Sequence, residues 1–260
     1  MLKNSLVNCS FLICLFTTIS LFAFDPVIIL VGPPGAGKGT FSQHLKEKHG
    51  YNHICVGDIL RNEIKEQTKL GREIEEIVKK GDYVDPQIIH VLLTKNVTKY
   101  QTEGKPFILD GFGQNKGDIE TIEKLLEEMG LLNRAFLLYL KASNEICQNR
   151  ILNRSICLNC GHVYNAVTAQ PLLQETCDYC GTALQIKIND TPEVITKRLQ
   201  YYREHIEQFY EAALSRFPSL VYNSSGSFET CTFFYDTLVK ETDYDVDSIS
   251  FIQRISVESN

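Results

Sequence analysis

The sequence lacks the excess of basic residues that marks a nucleic-acid-binding protein. Its 26 lysines and arginines are outnumbered by 32 aspartates and glutamates, which gives a formal net charge of −6, so we expect no nucleic acid among its partners. It also lacks internal repeats and low-complexity stretches, which excludes a repeat array or a disordered chain. With 260 residues and 43% hydrophobic content, the chain is predicted to be globular, with one sizeable core.

Residues 1–24 differ in composition from the rest of the chain. One lysine near the start is followed by an apolar run that only Ser, Thr, Asn and Cys dilute. This pattern is typical of a signal peptide, from which we expect export to the periplasm or secretion. Two alternatives stay open. The run from Leu6 to Phe24 is long enough to be a membrane anchor, or the protein is cytoplasmic and carries a dispensable extension.

A phosphate-binding loop is predicted directly after this segment. From Pro26 the sequence reads PVIILVGPPGAGKGTFSQHL, a β-branched strand that breaks into glycines and then becomes a helix. In that context the backbone N–H groups from Gly32 to Gly39 can surround an anion at the helix N-terminus. Lys38 adds a charge for the β- and γ-phosphates. We therefore predict an ATP-binding loop at Gly35, Ala36, Gly37, Lys38, Gly39 and Thr40.

The remaining pattern alternates short apolar segments with amphipathic ones, which predicts an α/β fold with a parallel sheet wrapped by helices. Strands are predicted near 27–31, 53–55, 106–110, 135–140 and 219–223, and helices near 38–49, 86–100, 118–129, 143–154, 192–212 and 227–239. Ligands of such sheets bind beyond the carboxyl ends of the strands. Two stretches interrupt the alternation: a helical pair at 56–84, and a cysteine-containing segment at 155–190.

Four cysteines in that segment form two C-x2-C pairs separated by sixteen residues: Cys157, Cys160, Cys177 and Cys180. The spacing predicts a structural zinc site, in which four thiolates hold Zn²⁺ and leave no open position. Disulfides remain the alternative if the protein is exported to an oxidising compartment. A nucleic-acid-binding zinc ribbon is disfavoured, because residues 155–190 contain one lysine and no arginine. The cysteines at 55, 147 and 231 are read as packing residues.

The motifs GPPGAGKGT, GDILR and LDGF together resemble the adenylate kinase branch of the nucleoside-monophosphate kinases, from about Val27 to Lys240. The resemblance implies a P-loop core at 25–55, 85–154 and 191–241, an acceptor-binding lobe at 56–84 and a zinc-ribbon-like lid at 155–190. Residues 242–260 remain a C-terminal extension of unassigned role. The implied reaction moves the γ-phosphoryl group of Mg-ATP to a nucleoside monophosphate, with ATP and AMP giving two ADP, and we expect a monomer.

Phosphoryl transfer relies on positive charge and positioning, so cations and one Mg²⁺-orienting carboxylate are the expected machinery. The implied catalytic residues are Lys38, Arg61, Asp110, Arg150, Arg154 and Arg198. Arg150 and Arg154 are predicted on one face of a helix. For ATP the resemblance adds Arg154, Val163 and Tyr164. For the acceptor it implies Val56, Asp58, Arg61, Tyr83, Val84, Gly111, Gln114, Asp118, Lys187 and Arg198. The six histidines are read as surface or packing residues.

The acceptor side departs from the family pattern at Gln114. Where the family has Asp-Gly-Phe-Pro-Arg, this chain reads Asp-Gly-Phe-Gly-Gln, so one phosphate-gripping arginine is replaced by an uncharged amide. Lys116 could supply the missing charge. In the lid, Lys187 and Asn189 replace an arginine and its acidic partner. A nucleotide-binding protein with little catalytic activity is therefore one alternative to the kinase.

The base-reading side departs as well. Asp118 stands where the family has a glutamine that reads adenine, and Val56 stands where it has a threonine. A carboxylate accepts hydrogen bonds from the N–H groups of guanine or cytosine, so a kinase specific for GMP or CMP is a second alternative. Asp118 could instead cap the helix that it opens, which carries no functional meaning.

Overall fold

The computed structural model describes residues 26–79, 84–112, 117–186, 190–226, 231–232, 235–236 and 238. Its main sheet has five parallel strands in the order β2-β3-β1-β4-β7. They are β1 (Val27–Val31), β2 (Asn52–Cys55), β3 (Phe107–Asp110), β4 (Ala135–Lys141) and β7 (Ser219–Asn223). This confirms the predicted α/β class and the parallel sheet, and each predicted strand lies within one residue of its observed position.

Seven helices and one 3₁₀ turn surround the sheet in the described residues. They are α1 (Lys38–His49), α2 (Val56–Lys65), α3 (Lys69–Lys79), α4 (Pro86–Thr102), α5 (Gly117–Glu128), the 3₁₀ turn Leu132–Arg134, α6 (Asn144–Leu152) and α7 (Pro192–Leu214). Three helices start at a capping side chain. Asp85, Ser143 and Thr191 accept hydrogen bonds from backbone N–H groups of the first turns of α4, α6 and α7, which satisfies donors that a helix start leaves free.

The core lies on both faces of the sheet, as the unbroken apolar run of β1 requires. Ile28 and Leu30 pack into one hydrophobic cluster with Phe41 and Phe136. Residues Val27, Ile29 and Val31 pack into a second cluster on the other face. A strand buried on both sides shows no polar alternation. This packing fixes β1 at the sheet centre and brings the phosphate loop to its carboxyl edge.

The lid is a separate small lobe built on an antiparallel pair of strands, β5 (Arg154–Ile156) and β6 (Val163–Asn165). Bridges at Ile156 to Gln185 and at Thr176 to Ala183 close it. Its buried cluster contains Cys157, Tyr164 and Cys177. A cluster this small contributes little apolar burial, so we expect the lobe to need a cross-link between its segments, such as a metal ion or a disulfide.

The helix predicted at 143–154 was too long. Helix α6 ends at Leu152, Asn153 closes it by donating its backbone N–H to the carbonyls of Asn149 and Ile151, and Arg154 begins β5. Arg150 and Arg154 therefore do not share a helix face, and the prediction that they do was wrong. Asparagine suits the end of a helix because its amide competes with the backbone for hydrogen bonds.

The predicted helix at 227–239 falls largely outside the described residues, although positions 231, 232, 235, 236 and 238 are helical. No helix in the described ranges is both long and apolar enough to cross a membrane. The N-terminal segment 1–24 lies outside those ranges.

Candidate active site

The phosphate loop is shaped by glycines that no other residue could replace without strain. Gly35 and Gly37 have φ angles of 85° and 95°, in the region that side chains other than glycine's disfavour. A Cβ on Gly35 would lie 2.5 Å from the carbonyl oxygen of Cys147, so α6 closes on the loop at this point. Gly37 is also the residue from which α1 starts, which directs the helix N-terminus at the loop.

Lys38 is held inside this loop. Its Nζ donates to the carbonyl oxygens of Gly32 at 2.6 Å and Pro33 at 3.1 Å. Burial lowers the pKa of the Lys38 ammonium, and the negative charge of Asp110 acts in the opposite direction. The lysine is thus positioned beside the backbone N–H groups that would bind phosphate oxygens.

Asp110 lies at the end of β3, in register with Leu30 at the end of β1, and is 6% exposed. Its Oδ2 is 3.0 Å from Nε2 of His53. Burial would raise the pKa of Asp110, but the hydrogen bond with His53 and the Lys38 charge together hold that pKa below its ordinary value. Asp110 is therefore a carboxylate at neutral pH. Its Oδ1 is buried and has no hydrogen-bond partner among the described residues.

The arginines predicted to be catalytic have different partners. Arg150 Nη2 donates to the backbone oxygens of Ser224 at 2.7 Å and Gly226 at 3.1 Å, just after β7. Arg154 makes a two-nitrogen contact with the buried carboxylate of Asp190, with distances of 2.8 to 3.1 Å. Arg198 is accessible to solvent, yet partial desolvation and then the neighbouring Arg154 charge lower the pKa of its guanidinium.

The lid lies against the phosphate loop and α1. Val163 Cγ2 lies 4.0 Å from the position of a Cβ on Gly39. His162 Nε2 forms an ion pair with Glu47, and Gln43 Nε2 is 3.3 Å from the same nitrogen. The Tyr164 ring points into the lid, where its hydroxyl accepts from the N–H of Asp178 at 2.8 Å. This arrangement covers the loop from the lid side.

The acceptor side contains an apolar recess and an exposed ion pair. Val56 lines the recess together with Ile59, Leu60, Ile89, Leu92 and Leu93. Arg61 folds back onto Asp58 within the same helix, and both side chains are about 60% exposed. Asp58 lies in the first turn of α2 and does not cap it, since Cys55 is the residue that precedes the helix.

Some of the other residues predicted to bind the acceptor lie in the described part of the chain, and some do not. Gly111 has a φ of 98° and lies close to Val56. A Cβ added to Gly111 would be 3.3 Å from the Val56 Cβ. Val84 precedes α4. Asp118 lies in the first turn of α5, where α5 begins at Gly117. The predicted site residues Tyr83, Gln114 and Lys187, with the neighbouring Lys116 and Asn189, lie outside the described residues.

The four lid cysteines converge. Sγ atoms of Cys157 and Cys180 are 3.4 Å apart, and Cys160 lies 3.5 Å from both Cys177 and Cys180. All four are free thiols, and these distances exceed the ~2.05 Å of a disulfide. A tetrahedral ion at Zn–S distances of about 2.3 Å separates its sulfurs by roughly 3.8 Å, so the donor set fits zinc. Hydrogen bonding, first from Thr182, lowers the pKa of Cys180 to about 5.

The reading of the histidines as surface or packing residues was wrong for several of them. His53 contacts Asp110, His162 contacts Glu47 and lies 3.1 Å from Cys160 Sγ, and His44 and His49 both contact Asp236. Apart from Cys160, which lies two residues before His162, these partners are far from the histidines in sequence, so spacing alone could not reveal the pairs. Asp190 was also missed. The buried Ser224 hydroxyl, in the 223–226 segment expected to line the ATP base, donates to the carbonyl of Ala36 at 2.9 Å.

Comparisons with known proteins agree with this geometry. The sequence profile of the family described as "Adenylate kinase" matches residues 30–213. The chain is 36% identical over 178 residues to the adenylate kinase of Thermosipho melanesiensis, covering 68% of this chain and 82% of that protein. It is 34% identical over 189 residues to the adenylate kinase of Thermococcus kodakarensis, covering 71% of this chain and 82% of the relative. The chain therefore belongs to the adenylate kinase family.

Proposed function

We propose that this chain transfers the γ-phosphoryl group of Mg-ATP to AMP, giving two molecules of ADP. One observation carries the proposal: the Lys38 ammonium is held inside the phosphate loop by the Gly32 and Pro33 carbonyls, and the Asp110 carboxylate ends the strand next to β1, where its charge acts on Lys38. A cation fixed in a loop of N–H donors, a neighbouring ionised carboxylate and guanidinium groups are the components that phosphoryl transfer requires.

The donor nucleotide would bind with its phosphates in the loop that precedes α1. The loop N–H groups and the Lys38 ammonium would bind the β- and γ-phosphate oxygens. Arg150, Arg154 and Arg198 are the cations available to neutralise charge on the transferring group. Mg²⁺, when bound with ATP, neutralises further phosphate charge, and the Asp110 carboxylate is placed to accept hydrogen bonds from its waters.

The acceptor phosphate carries its own nucleophilic oxygen, so no protein nucleophile is needed. A bond forms between that oxygen and the γ-phosphorus as the bond from the γ-phosphorus to the β-phosphate oxygen breaks, and ADP leaves. Arg61 is the described cation that we expect to contact the acceptor phosphate. Its ion pair with Asp58 is exposed and therefore cheap to break when a phosphate competes for the guanidinium.

The lid would exclude water from this reaction. Water in the site could take the γ-phosphoryl group in place of AMP, so closure of a lid protects the transfer. We propose that Zn²⁺ held by Cys157, Cys160, Cys177 and Cys180 keeps the lid folded, since the lid's own buried cluster is small. Export through residues 1–24 is a further part of the proposal, which cell fractionation of the tagged full chain would test.

Asp118 supports a second acceptor. It is half-buried in the first turn of α5, the helix that follows β3 and its Asp110. A carboxylate there would accept hydrogen bonds from the N–H groups of guanine or cytosine and would repel the N1 acceptor of adenine. GMP and CMP are therefore the second-candidate acceptors, to be compared with AMP.

The test is an assay of ADP formation from ATP and AMP with Mg²⁺, in which ADP is measured by chromatography. The full chain and the Lys38→Met variant are compared. Loss of the Lys38 charge should reduce turnover by about 10²–10³-fold. Lys46→Met is the matched control, because Lys46 lies on α1 with an exposed side chain and should leave turnover unchanged. Equal rates in the chain and in Lys38→Met would overturn the proposal.

A further inference from the structure

Three side chains of different chemistry meet beside the phosphate loop: His53, Cys55 and Asp110. A ring nitrogen, a sulfur and a carboxylate oxygen from these residues all lie within 4.8 Å of one another. We propose that they form a binding site for a divalent transition-metal ion of the zinc class, separate from the lid cysteines. The ion would use three protein ligands and keep one position open.

The sheet itself creates the cluster. Cys55 and Asp110 are in register on the neighbouring parallel strands β2 and β3, so their side chains leave the sheet on the same face. His53 lies two residues before Cys55, and side chains two apart on a strand share a face. All three therefore emerge together at the carboxyl edge, where the long imidazole reaches 3.0 Å from Asp110.

The ligand types select the ion. Imidazole nitrogen and thiolate sulfur favour zinc and similar borderline ions, whereas Mg²⁺ prefers oxygen alone. In a tetrahedral site with Zn–N and Zn–O near 2.0–2.1 Å and Zn–S near 2.3 Å, ligand atoms are roughly 3.3–3.7 Å apart. Atoms already within 4.8 Å of one another need only small side-chain rotations to reach such positions.

Asp110 gives independent support. Its Oδ1 belongs to a side chain only 8% exposed and makes no hydrogen bond of standard geometry among the described residues, although the Gly111 N–H is near enough to lower the pKa of this carboxyl. A buried carboxylate oxygen without a partner is costly, and a metal ion would satisfy it. His53 and Cys55 are partly exposed, which leaves a path for an ion to enter from solvent.

The charges balance on binding. A divalent ion carries two positive charges, and the Cys55 thiolate and the Asp110 carboxylate carry one negative charge each. The thiol proton leaves to solvent, and the imidazole binds the ion through Nε2 in its neutral form while the proton resides on Nδ1. Lys38 then faces a neutral cluster in place of the Asp110 charge that now compensates its buried ammonium, so the metal–ligand bonds must outweigh that electrostatic cost.

The proposed kinase reaction would be inhibited by such an ion. Asp110 cannot at once bind zinc and accept hydrogen bonds from water on Mg²⁺, so zinc should reduce turnover with Mg-ATP. This consequence rests on the proposed function. The binding site does not, because metal binding can be measured without nucleotide.

The experiment is a titration of the full chain with Zn²⁺ without nucleotide, after the lid site has been filled and loose metal removed by a weak chelator. Metal content should rise from one to two ions per chain. The affinity for the second ion should fall in His53→Gln and in Cys55→Ser. Loss of a residue that only supports a metal ligand lowers affinity by ~10–100-fold, so loss of a ligand itself should lower it by at least that much. Co²⁺ added to the zinc-filled lid should give sulfur-to-metal absorption in the parent chain and none in Cys55→Ser.

His44→Gln is the matched control, because His44, His49 and Asp236 form the other histidine-containing cluster and Lys48 already contacts its carboxylate. This variant should retain both ions. Thermal melting checks that the variants are folded. Because His53 and Cys55 are changed in separate variants, a local distortion in one variant would not by itself explain loss of the ion in both. A stoichiometry of one in the parent chain would overturn the proposal. So would loss of the second ion in His44→Gln, or its retention in both His53→Gln and Cys55→Ser.

Discussion

Arg154 and Asp190 form a two-nitrogen ion pair across the base of the lid. Nη2 of Arg154 lies 2.8 and 2.9 Å from the two carboxylate oxygens, and Nε lies 3.1 Å from one of them. The Asp190 side chain is 1% exposed and that of Arg154 is 21% exposed. The pair joins the first lid strand to the chain that leaves the lid, so it fixes both ends of this lobe.

Removal of this carboxylate should destabilise the protein. In Asp190→Asn the half-buried guanidinium loses its partner, and we expect the free energy of unfolding in urea to fall by about 2–4 kcal/mol. Glu123→Gln is the control, since Glu123 pairs with Arg216 at 2.8 Å but is more exposed, and it should cost less than about 1 kcal/mol. Equal losses of unfolding free energy in both variants would mean that the buried Arg154–Asp190 pair stabilises the protein no more than an exposed ion pair.

The carboxylate of Asp110 should be required in its ionised form. Asp110→Asn should reduce turnover with Mg-ATP by about 10²–10³-fold. The folded pKa lies below the ordinary 3.8, so Asp110 carries its charge at every pH above that value. The rate of the parent chain should therefore show no loss from Asp110 protonation between about pH 5 and 8. An acid limb in that range that disappears in Asp110→Asn would contradict this assignment.

The lid should contain one tightly held zinc ion that stabilises it. Cys160→Ser should remove that ion from the purified protein and expose lid bonds to proteolysis, because the lid has few buried apolar side chains of its own. Cys231→Ser, which alters a buried cysteine outside the lid, should leave the metal in place. Full metal content in Cys160→Ser, or disulfides detected among the lid cysteines of the native protein, would refute the zinc assignment.

Asp236 should stabilise the contact between the C-terminal helical residues and α1. Partial burial would raise its pKa, but bonds from Lys48, His49 and His44 depress it well below its ordinary 3.8. The stabilisation is complete above that ordinary value and is lost as pH falls through the depressed folded pKa. Asp236→Asn should therefore lower the free energy of unfolding by about 2 kcal/mol at pH 7.

The difference between the parent chain and Asp236→Asn should shrink as the pH of the urea titration falls below 3.8. A difference that stays constant down to pH 2 would show that the charge of Asp236 is not the source of its effect.

The local features of this chain were predictable from sequence, because each has a short-range physical cause. The glycines of the phosphate loop are required by positive φ at Gly35 and Gly37, and the two C-x2-C pairs bring four Sγ atoms together in the lid. The β1 strand was predicted because a doubly buried strand is apolar throughout.

Long-range pairs were not predictable in the same way. His53 meets Asp110 only because β2 and β3 are neighbours in register. The local patterns of a single sequence do not reveal which strands are neighbours. His44 and His49 meet Asp236 across 192 and 187 residues. Arg154 was misplaced for a local reason, since the helical pattern of α6 continues past the asparagine that ends it.

The most direct test of the proposed function is phosphoryl transfer by the full chain from Mg-ATP to AMP, GMP, CMP and UMP in parallel, with ATP binding measured on the same sample. We expect turnover with AMP in the range of about 1–100 per second and slower transfer to the other three. Transfer to GMP or CMP alone would make Asp118 the residue that selects the base. ATP binding without transfer to any of the four would contradict the proposal that this family member is a working kinase.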